Sequence, residues 1–508
     1  MTQHYRLCFL GYCLGISGCL AQRTDSLRST FFRAELGSYI TSQTSVPFWL
    51  RTNQYGIVPL KGSIGTIRLG AYSDYRSFKT NEKAGSRRRF DWGYGTEVVA
   101  NGGVANQLIL PEAYVKIRYG TVEFYAGRRR ELFGLADSTL STGSYAWSGN
   151  ALPVPKVQLE IRSFKPLGFT KNFVAIKGSF AHGWLGGRFV QHTLLHQKSF
   201  YIRLGKPASR FKAYGGLNHQ VVWGGESPDL LKIGLITSEQ LPSSFKDYLS
   251  LVSGLRSSDS GITNAAAYTD FDLTNRVGNH LGSVDIALEL ATNSLTYYLY
   301  RQNPYETGAL FYGTSLADGL NGLRIRSRNP KAVIQQVLIE YLNTANQGGD
   351  EFIINDPQHR GRVDYFNHAQ FRDGWSYQGL GIGTPFIPPA LGPNNALPYG
   401  TFTSDNRVQV WHLGIMGNLF PRTHRWLSGP VTIQSKLSYS RNLGTYTIPY
   451  PQPIYQFSGI LTVAAPLIWL QGLQATSSFA LDEGGLYPTA AGFYIGIRKE
   501  WSTSTAKR

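Results

Sequence analysis

The run SVDIALELATNSLTYYLY, from Ser283 to Tyr300, decides the fold class of this chain. Every second side chain of its first half is apolar, in the set Val284, Ile286, Leu288 and Leu290. Asp285 and Glu289 belong to the opposite set, and a polar turn at 292–294 leads into a second alternating segment, LTYYLY. Because successive side chains of a β-strand point to opposite faces, the run predicts a hairpin with one apolar and one charged face.

The same alternation returns along the whole chain, in AYVKIRYGTVEFYAG (113–127), VQLEIR (157–162), VTIQSKLSYS (431–440) and GFYIGIRKEW (492–501). A soluble sandwich would solvate the charged face of such strands, whereas a membrane barrel turns it into a polar lumen and ends near an aromatic residue, here Trp501. Lys499 departs from this pattern because it occupies an apolar position. We predict an all-β fold, a transmembrane antiparallel β-barrel of about 18 strands (about 16 to 18) with short helical plug or loop elements.

Composition and charge agree with a barrel. The 508 residues include 30 Tyr, 27 Phe, 10 Trp and 56 Gly, only 16% are charged, and the mean hydropathy is −0.20. Beyond the N-terminus no segment offers the ~20 consecutive apolar residues of a spanning helix, while a barrel needs only alternate apolar residues. The net charge of +18 favours anionic surroundings such as lipopolysaccharide or acidic polysaccharide.

The N-terminus, MTQHYRLCFLGYCLGISGCLAQ, reads as a secretory signal peptide that ends at Ala21. Export to the outer membrane is therefore expected, and nucleic acid is excluded as a partner. Cys8, Cys13 and Cys19 all lie in this segment, although ISGC at 16–19 also resembles a lipobox that would make Cys19 a lipid anchor. The predicted organisation is a signal peptide at 1–21, a periplasmic or plug segment at 22–62, the barrel at 63–501 and a tail at 502–508.

One segment breaks the strand pattern. In LPSSFKDYLSLVSG, 241–254, the apolar side chains Phe245, Tyr248, Leu249 and Val252 follow helical spacing. Ser243 or Ser244 is suited to cap the N-terminus. The segment predicts a short amphipathic helix that lies in a loop or plugs the lumen.

Several phrases, taken in order, resemble the Wzi-type capsule-assembly outer-membrane proteins, especially the branch seen in Bacteroidetes. They are PFWLRTNQYG (47–56), DSTLSTGSYAWSGNALPVPK (137–156), VVWGGES (221–227), LPSSFKDYLSLVSG (241–254), VGNHLGSVD (277–285) and YFNHAQFRDGWSYQGLGIG (365–383). The resemblance implies an 18-stranded outer-membrane barrel that holds capsular polysaccharide or exopolysaccharide at the cell surface without catalysing a reaction. Better-known relatives carry a longer helical segment before the barrel than the roughly forty residues found here.

The polar loop Asp137–Lys156 carries the first set of candidate binding residues. A tight turn at Gly120 is expected to place this loop at the outer end of the barrel or inside the lumen. Two aromatic residues can stack on sugar rings and three polar residues can hydrogen-bond to hydroxyls; these five candidates are Tyr145, Trp147, Asp137, Ser144 and Asn150. The alternative is a loop, rich in Ser, Gly and Asn, that packs on itself.

Two arginine triplets form the second set. Arg128, Arg129 and Arg130, like Arg87–Arg89, can clamp acidic sugars or phosphates through forked donors. The alternatives are contact with lipopolysaccharide or simple solvation.

Catalytic and metal-binding patterns are weak. His192 and His196 have a spacing that ligates metal on a helix but separates the two residues by ~13 Å on a strand. Glu226 with Asp229, Asp364 with Asp373, and His368 lack a framing motif, so we predict no enzyme, no metal and no cofactor. The expected partners of a monomeric barrel are surface polysaccharide, outer-membrane lipid and lipopolysaccharide. An anion-selective or general porin and an outer-membrane polysaccharide- or lipid-modifying enzyme are the rival functions.

Overall fold

The computed structural model describes residues 28–76, 90–234, 236–253, 276–306, 313–351, 353, 361–390, 402–419 and 426–504. The predicted signal peptide, with its three cysteines, and the triplet Arg87–Arg89 lie outside these residues.

The regular secondary structure of the described chain is almost entirely β-strand. In chain order they are β1 Ser29–Thr41, β2 Ile64–Ser73, β3 Phe90–Gly103, β4 Gln107–Tyr119, β5 Val122–Arg128, β6 Lys156–Pro166, β7 Val174–Trp184, β8 Leu194–Leu204, β9 Phe211–Trp223, β10 Asn279–Ala291, β11 Leu295–Glu306, β12 Gly319–Ser327, β13 Ile334–Asn343, β14 Ser376–Tyr377, β15 Leu380–Gly381, β16 Val408–Leu419, β17 Val431–Gly444, β18 Pro449–Leu467, β19 Leu473–Gly484 and β20 Ala490–Ser504. The helices of the described residues are α1 Phe48–Arg51, α2 Pro228–Lys232 and α3 Phe245–Ser253, with a 3-10 turn at Gly168–Thr170. None of these helices has the length and apolar content needed to cross a bilayer.

Eighteen of the strands close into one antiparallel barrel. Each pairs with the next along the chain, except that β13 pairs with β16 because β14 and β15 form a separate hairpin. The first and last strands, β1 and β20, close the cylinder over a register that runs from Ser29↔Ser504 to Thr41↔Gly492. Closure leaves no sheet edge exposed to lipid. The predicted fold class is therefore confirmed.

Two predicted boundaries need correction. The segment 22–62, assigned to a periplasmic or plug region, contains the wall strand β1, and only residues after Thr41 leave the wall. At the other end β20 continues to Ser504, beyond the predicted start of the tail at 502. The first strand was missed because Phe31 and Tyr39 fall in its lumen-facing set, which blurs the period-two pattern.

The predicted faces of the Ser283–Tyr300 hairpin are confirmed. Ile286, Leu288 and Leu290 are 59%, 46% and 47% exposed, as lipid-facing side chains of a barrel are. Asp285 is fully buried on the lumen side, and Glu289 pairs there with Lys212 at 2.7 Å. Alternation in sequence thus separates lipid from lumen.

The two ends of the barrel differ in their connections. At one end, here called the short-turn end, the connections include 120–121, 205–210 and 292–294. At the other, the long-loop end, the strands are joined by 129–155, 224–278 and 344–407. Outer-membrane barrels place short turns in the periplasm and long loops outside. The loop Asp137–Lys156 lies at the long-loop end, as the turn at Gly120 predicts.

Candidate functional site

Three segments of the long-loop end fold into the lumen, and we call them the plug. They are residues 42–63, which contain α1, residues 129–155 and the described parts of 344–407. The last two share one core with the inner wall, and its aromatic members include Phe133, Tyr145, Trp147, Tyr365, Phe366, Phe371 and Trp375. The first segment is tied to the second by the backbone N–H of Tyr55, which donates to the C=O of Gly149 at 2.7 Å.

The composition of the polar loop explains how it can be buried. Backbone groups removed from water need partners, and small polar side chains supply them. The hydroxyl of Ser148 donates to the C=O of Gly383 at 2.6 Å, and Nδ2 of Asn150 donates to the C=O of Gly381 at 3.1 Å. Gly149 has a φ of 79°, which a residue with a side chain adopts at a cost. The loop therefore packs between the wall and the third plug segment.

Asp137 and Ser144 are also engaged within the protein. The carboxylate of Asp137 accepts from the backbone N–H of Leu140 at 2.7 Å and pairs with Arg324 of β12 at 3.3 Å. The hydroxyl of Ser144 donates to Gln302 of β11 at 3.1 Å. Both residues fasten the plug to the barrel wall.

Tyr145 and Trp147 lie inside the plug, with exposed fractions of 0% and 5%. The hydroxyl of Tyr145 donates to Glu306 of β11 at 3.0 Å, and burial together with this carboxylate raises the pKa of the hydroxyl well above its usual range. The ring of Trp147 contacts Trp375 at a centroid distance of 6.0 Å. Stacking of these rings on a sugar would require the plug to open, and it stays a prediction.

Arg129 is the centre of a buried ionic network. Its guanidinium pairs with Glu131 at 2.7 Å and with Glu123 and Glu160 at 2.5 Å each, and Lys156 pairs with Glu131 at 2.7 Å. Burial opposes ionisation of Glu131, but the charges of Lys156 and Arg129 outweigh it and lower the pKa of its carboxyl to about 2. Removal from water also disfavours the charged form of Arg129, yet Glu131 and Glu160 hold the pKa of its guanidinium above the ordinary value. The network fixes the start of the plug to β5 and β6.

The other two arginines of the triplet have different surroundings. Arg130 pairs with Glu97 at 2.9 Å and lies 3.8 Å from Glu112. Arg128 donates to the hydroxyl of Tyr377, in the hairpin of the third plug segment, at 2.7 Å. The structure therefore connects Arg128–Arg130 to the protein's own carboxylates and plug, and their role toward an acidic polymer stays a prediction.

Two of the cavities that the described residues line lie along the lumen. One, of about 740 Å³, lies towards the short-turn end and is lined by residues that include Arg33, Tyr72 and Arg130. The other, of about 360 Å³, lies between plug and wall; its polar lining includes Asn53, Tyr55, Asp137, Ser138, Thr139, Ser141, Ser144, Ser148, Lys177 and Lys436. Binding sites for small ligands are concave spaces of this size that carry a few placed polar groups. We call the smaller cavity the plug pocket. It contains two of the predicted residues, Asp137 and Ser144.

Two ammonium groups distinguish the plug pocket. Lys177 of β7 has no ion-pair or hydrogen-bond partner among the described residues. Lys436 of β17 donates only to the C=O of Ser141, at 3.5 Å, and lies 4.9 Å from the ring centroid of Trp49. No carboxylate of the described chain forms an ion pair with either lysine. The pocket is therefore suited to a ligand that has hydroxyls and a negative charge.

These two lysines are not among the binding residues predicted from the sequence. Both occur in alternating segments, on the polar side of VTIQSKLSYS and of VAIKGSF. A signal existed in strand pairing: Lys436 lies opposite Gly414 and Ile460, and Lys177 lies opposite Tyr201 of β8, and none of these three partners is acidic. That signal needs the register, which the sequence alone does not supply.

Asp373 and His368, two of the residues considered for catalysis, are hydrogen-bonded within the protein. Asp373 accepts from the backbone N–H groups of Arg188 and Phe189 at 2.9 Å each. His368 accepts at Nδ1 from the backbone N–H of Phe371 at 3.2 Å, and burial lowers the pKa of its imidazole to about 4. Among the described residues there is no group of three or more His, Cys, Asp or Glu side chains placed to hold a metal ion.

Fold and lumen together define a barrel of the outer-membrane type whose long loops fill its own interior. By structure the chain is similar to Wzi of Escherichia coli, described as an outer membrane protein involved in group 1 capsule assembly and a carbohydrate-binding β-barrel, with a TM-score of 0.54 at 12% identity over 92% of this chain and 83% of that one. At this identity the likeness shows the fold alone.

Two further barrels, both from Pseudomonas aeruginosa, also match. The outer membrane protein OprD has a TM-score of 0.46 at 9% identity, over 94% of each chain. OccD3 has a TM-score of 0.43 at 7% identity, over 94% of this chain and 91% of that one. No family model matches the sequence, and no curated protein does.

Proposed function

We propose that this protein is a non-catalytic outer-membrane barrel of the Wzi type that binds acidic capsular polysaccharide or exopolysaccharide and retains it at the cell surface. The observation that carries the proposal is the plug pocket, where Lys177 and Lys436 form no ion pair with a described carboxylate and lie beside a lining of hydroxyl and amide groups. A uronate or other acidic sugar offers the complementary carboxylate and hydroxyls. The carbohydrate binding described for the similarly folded Wzi barrel supports the same class of ligand.

The predicted loop residues acquire a defined part in this proposal. Asp137 and Ser144 line the pocket, while Tyr145, Trp147 and Asn150 hold the plug that forms one side of it. Arg128, Arg129 and Arg130 support the same plug from β5 and the loop that follows. These residues shape the site, and the two lysines provide the charge.

The test is a binding isotherm of the detergent-purified barrel with acidic polysaccharide from the same cells. Replacing Lys177 or Lys436 by Gln should weaken binding about ten- to a hundredfold each, because a hydrogen bond to a charged group contributes ~1.5–3 kcal/mol and 1.4 kcal/mol is a factor of ten. Lys206→Gln, at an exposed position in the 205–210 turn, is the matched control and should bind like the parent. Unchanged affinity in both pocket variants would remove the plug pocket as the binding site.

A porin is the second candidate, because the two cavities of about 740 and 360 Å³ both lie in the lumen. The plug argues against a permanently open pore. Reconstitution in planar bilayers separates the two functions: the binding protein should give no steady conductance, and a continuous anion-selective current would favour the porin.

A further inference from the structure

We propose that helix α3 is an interfacial element, packed against the outside of the barrel wall, that inserts its exposed apolar face into the lipid layer at the long-loop end. The proposal concerns the membrane surface of the protein and is independent of what the lumen binds. It rests on which face of the wall the helix touches.

The helix contacts the lipid-facing side of β8 and β9. On β8, His196 and Lys198 share their face with Phe200, which is exposed to lipid, while Gln197 between them is bound in the lumen by Lys156. On β9, Trp223 shares its face with the exposed Leu217 and Phe211. Because strand faces alternate with a period of two, every wall residue in contact with α3 points outwards.

These outward positions are unusual because they are polar. The set comprises His182 of β7, His196 and Lys198 of β8, His219 of β9 and His280 of β10. Nε2 of His219 and Nδ1 of His280 are 2.9 Å apart, and Nε2 of His280 lies 2.9 Å from the C=O of Val277. Polar groups that face hydrocarbon without a partner are costly, so this patch needs a cover.

Helix α3 covers the part of this patch that lies on β7 and β8. The ring of Tyr248 lies 5.9 Å from His182, 5.6 Å from His196 and 5.6 Å from Trp223, measured between ring centroids. The ammonium of Lys198 donates to the C=O of Val252 in the last turn, where the helix dipole favours a cation. The wall is therefore two layers thick where α3 lies over His182, His196 and Lys198.

No described residue covers the other face of the helix. Phe245 is 75% and Leu249 53% exposed, although both belong to the apolar set that predicted the helix. Exposed Trp184, at the end of β7, extends this apolar surface onto the barrel wall. We call Phe245, Leu249 and Trp184 the ridge. The ridge thus continues the lipid-facing surface of the barrel. Because the two surfaces are continuous, lipid acyl chains are the partner that covers the ridge.

The experiment measures contact with lipid directly. In a full chain with Cys8, Cys13 and Cys19 replaced by Ser, a single cysteine is introduced at Phe245 and labelled with an environment-sensitive fluorophore. The protein is refolded into vesicles whose acyl chains carry bromine, which quenches fluorophores in the hydrocarbon. Leu217→Cys, on the lipid face of β9, and Asn293→Cys, in the short turn 292–294, give the lipid and water references.

Quenching at position 245 should match that at Leu217. A value equal to that at Asn293 would overturn the proposal, whether water, a second copy of the chain or residues 254–275 occupy the ridge. Heat-modifiable migration shows that each variant has folded. If Phe245→Cys does not fold, Leu249→Cys on the same ridge provides the same comparison.

Discussion

Replacing Arg129 by Met should strongly destabilise the barrel. The variant leaves Glu123, Glu131 and Glu160 buried, with only Lys156 as a close cation for Glu131. Removing one partner of a buried ion pair typically lowers the free energy of unfolding by about 3–5 kcal/mol. In the parent, Lys156 and Arg129 together lower the pKa of the Glu131 carboxyl from 4.5 to about 2, so Lys156 preserves part of this stabilisation in the variant.

The assay is equilibrium unfolding by denaturant in detergent. Tryptophan fluorescence and heat-modifiable migration measure the folded fraction. Arg33→Gln is the matched control, because Arg33 and Glu500 are 27% and 50% exposed, and such pairs contribute about 0–1 kcal/mol. Combining Arg129→Met with Glu160→Gln removes one of the carboxylates that the first substitution leaves unpaired. The double variant should therefore recover part of the lost free energy of unfolding. Recovery would show that charge, rather than lost packing, is the cause.

The pH dependence has a defined sign. Because the folded-state pKa of Glu131 is depressed, its contribution is complete above the unfolded-state pKa near 4.5 and is lost as the pH falls towards 2. The difference in unfolding free energy between the parent and Arg129→Met should therefore narrow over that range. A difference that stays constant from pH 7 to pH 3, or a loss no larger than that of Arg33→Gln, would refute the electrostatic account.

Two further predictions concern the wall and the plug. Ile286→Arg places a charge on the lipid face and should lower the free energy of unfolding by ~2–4 kcal/mol near the midplane, measured by the same denaturant titration; an unchanged midpoint would show that Ile286 does not face lipid. Replacing both Tyr145 and Trp147 by Ala deletes two buried rings, each worth about 3–5 kcal/mol of packing, and should loosen the plug while β-sheet content is retained. The measurement is the rate of limited proteolysis within 129–155, which should rise in the variant. Resistance equal to that of the parent would contradict the proposed packing.

The sequence predicts the wall far better than the lumen. Apolar and polar side chains alternate at Val284–Leu290 because one face of the strand meets lipid and the other meets water or protein. This alternation can be recognised in the sequence alone. Helix α3 was predicted from spacing alone, but an apolar face looks the same whether it meets a core or lipid, so the exposure of Phe245 and Leu249 could not be foreseen. The partners of Tyr145 and Arg129 depend on how separate loops meet inside the barrel, and the lysines of the plug pocket required the strand register.

The pairing of β1 with β20 makes the two chain ends neighbours. Removing either strand would leave two unpaired sheet edges facing hydrocarbon. Both β1 and β20 are therefore needed for a closed barrel. Assembly must wait until residues separated by more than four hundred positions meet, as Glu35 and Arg498 do, and every earlier stage presents open edges to the membrane. The finished cylinder, by contrast, has the same pairing at its closing seam as elsewhere: a permuted chain, with β20 linked to β1 and opened at the turn 120–121, contains the same set of strand pairs.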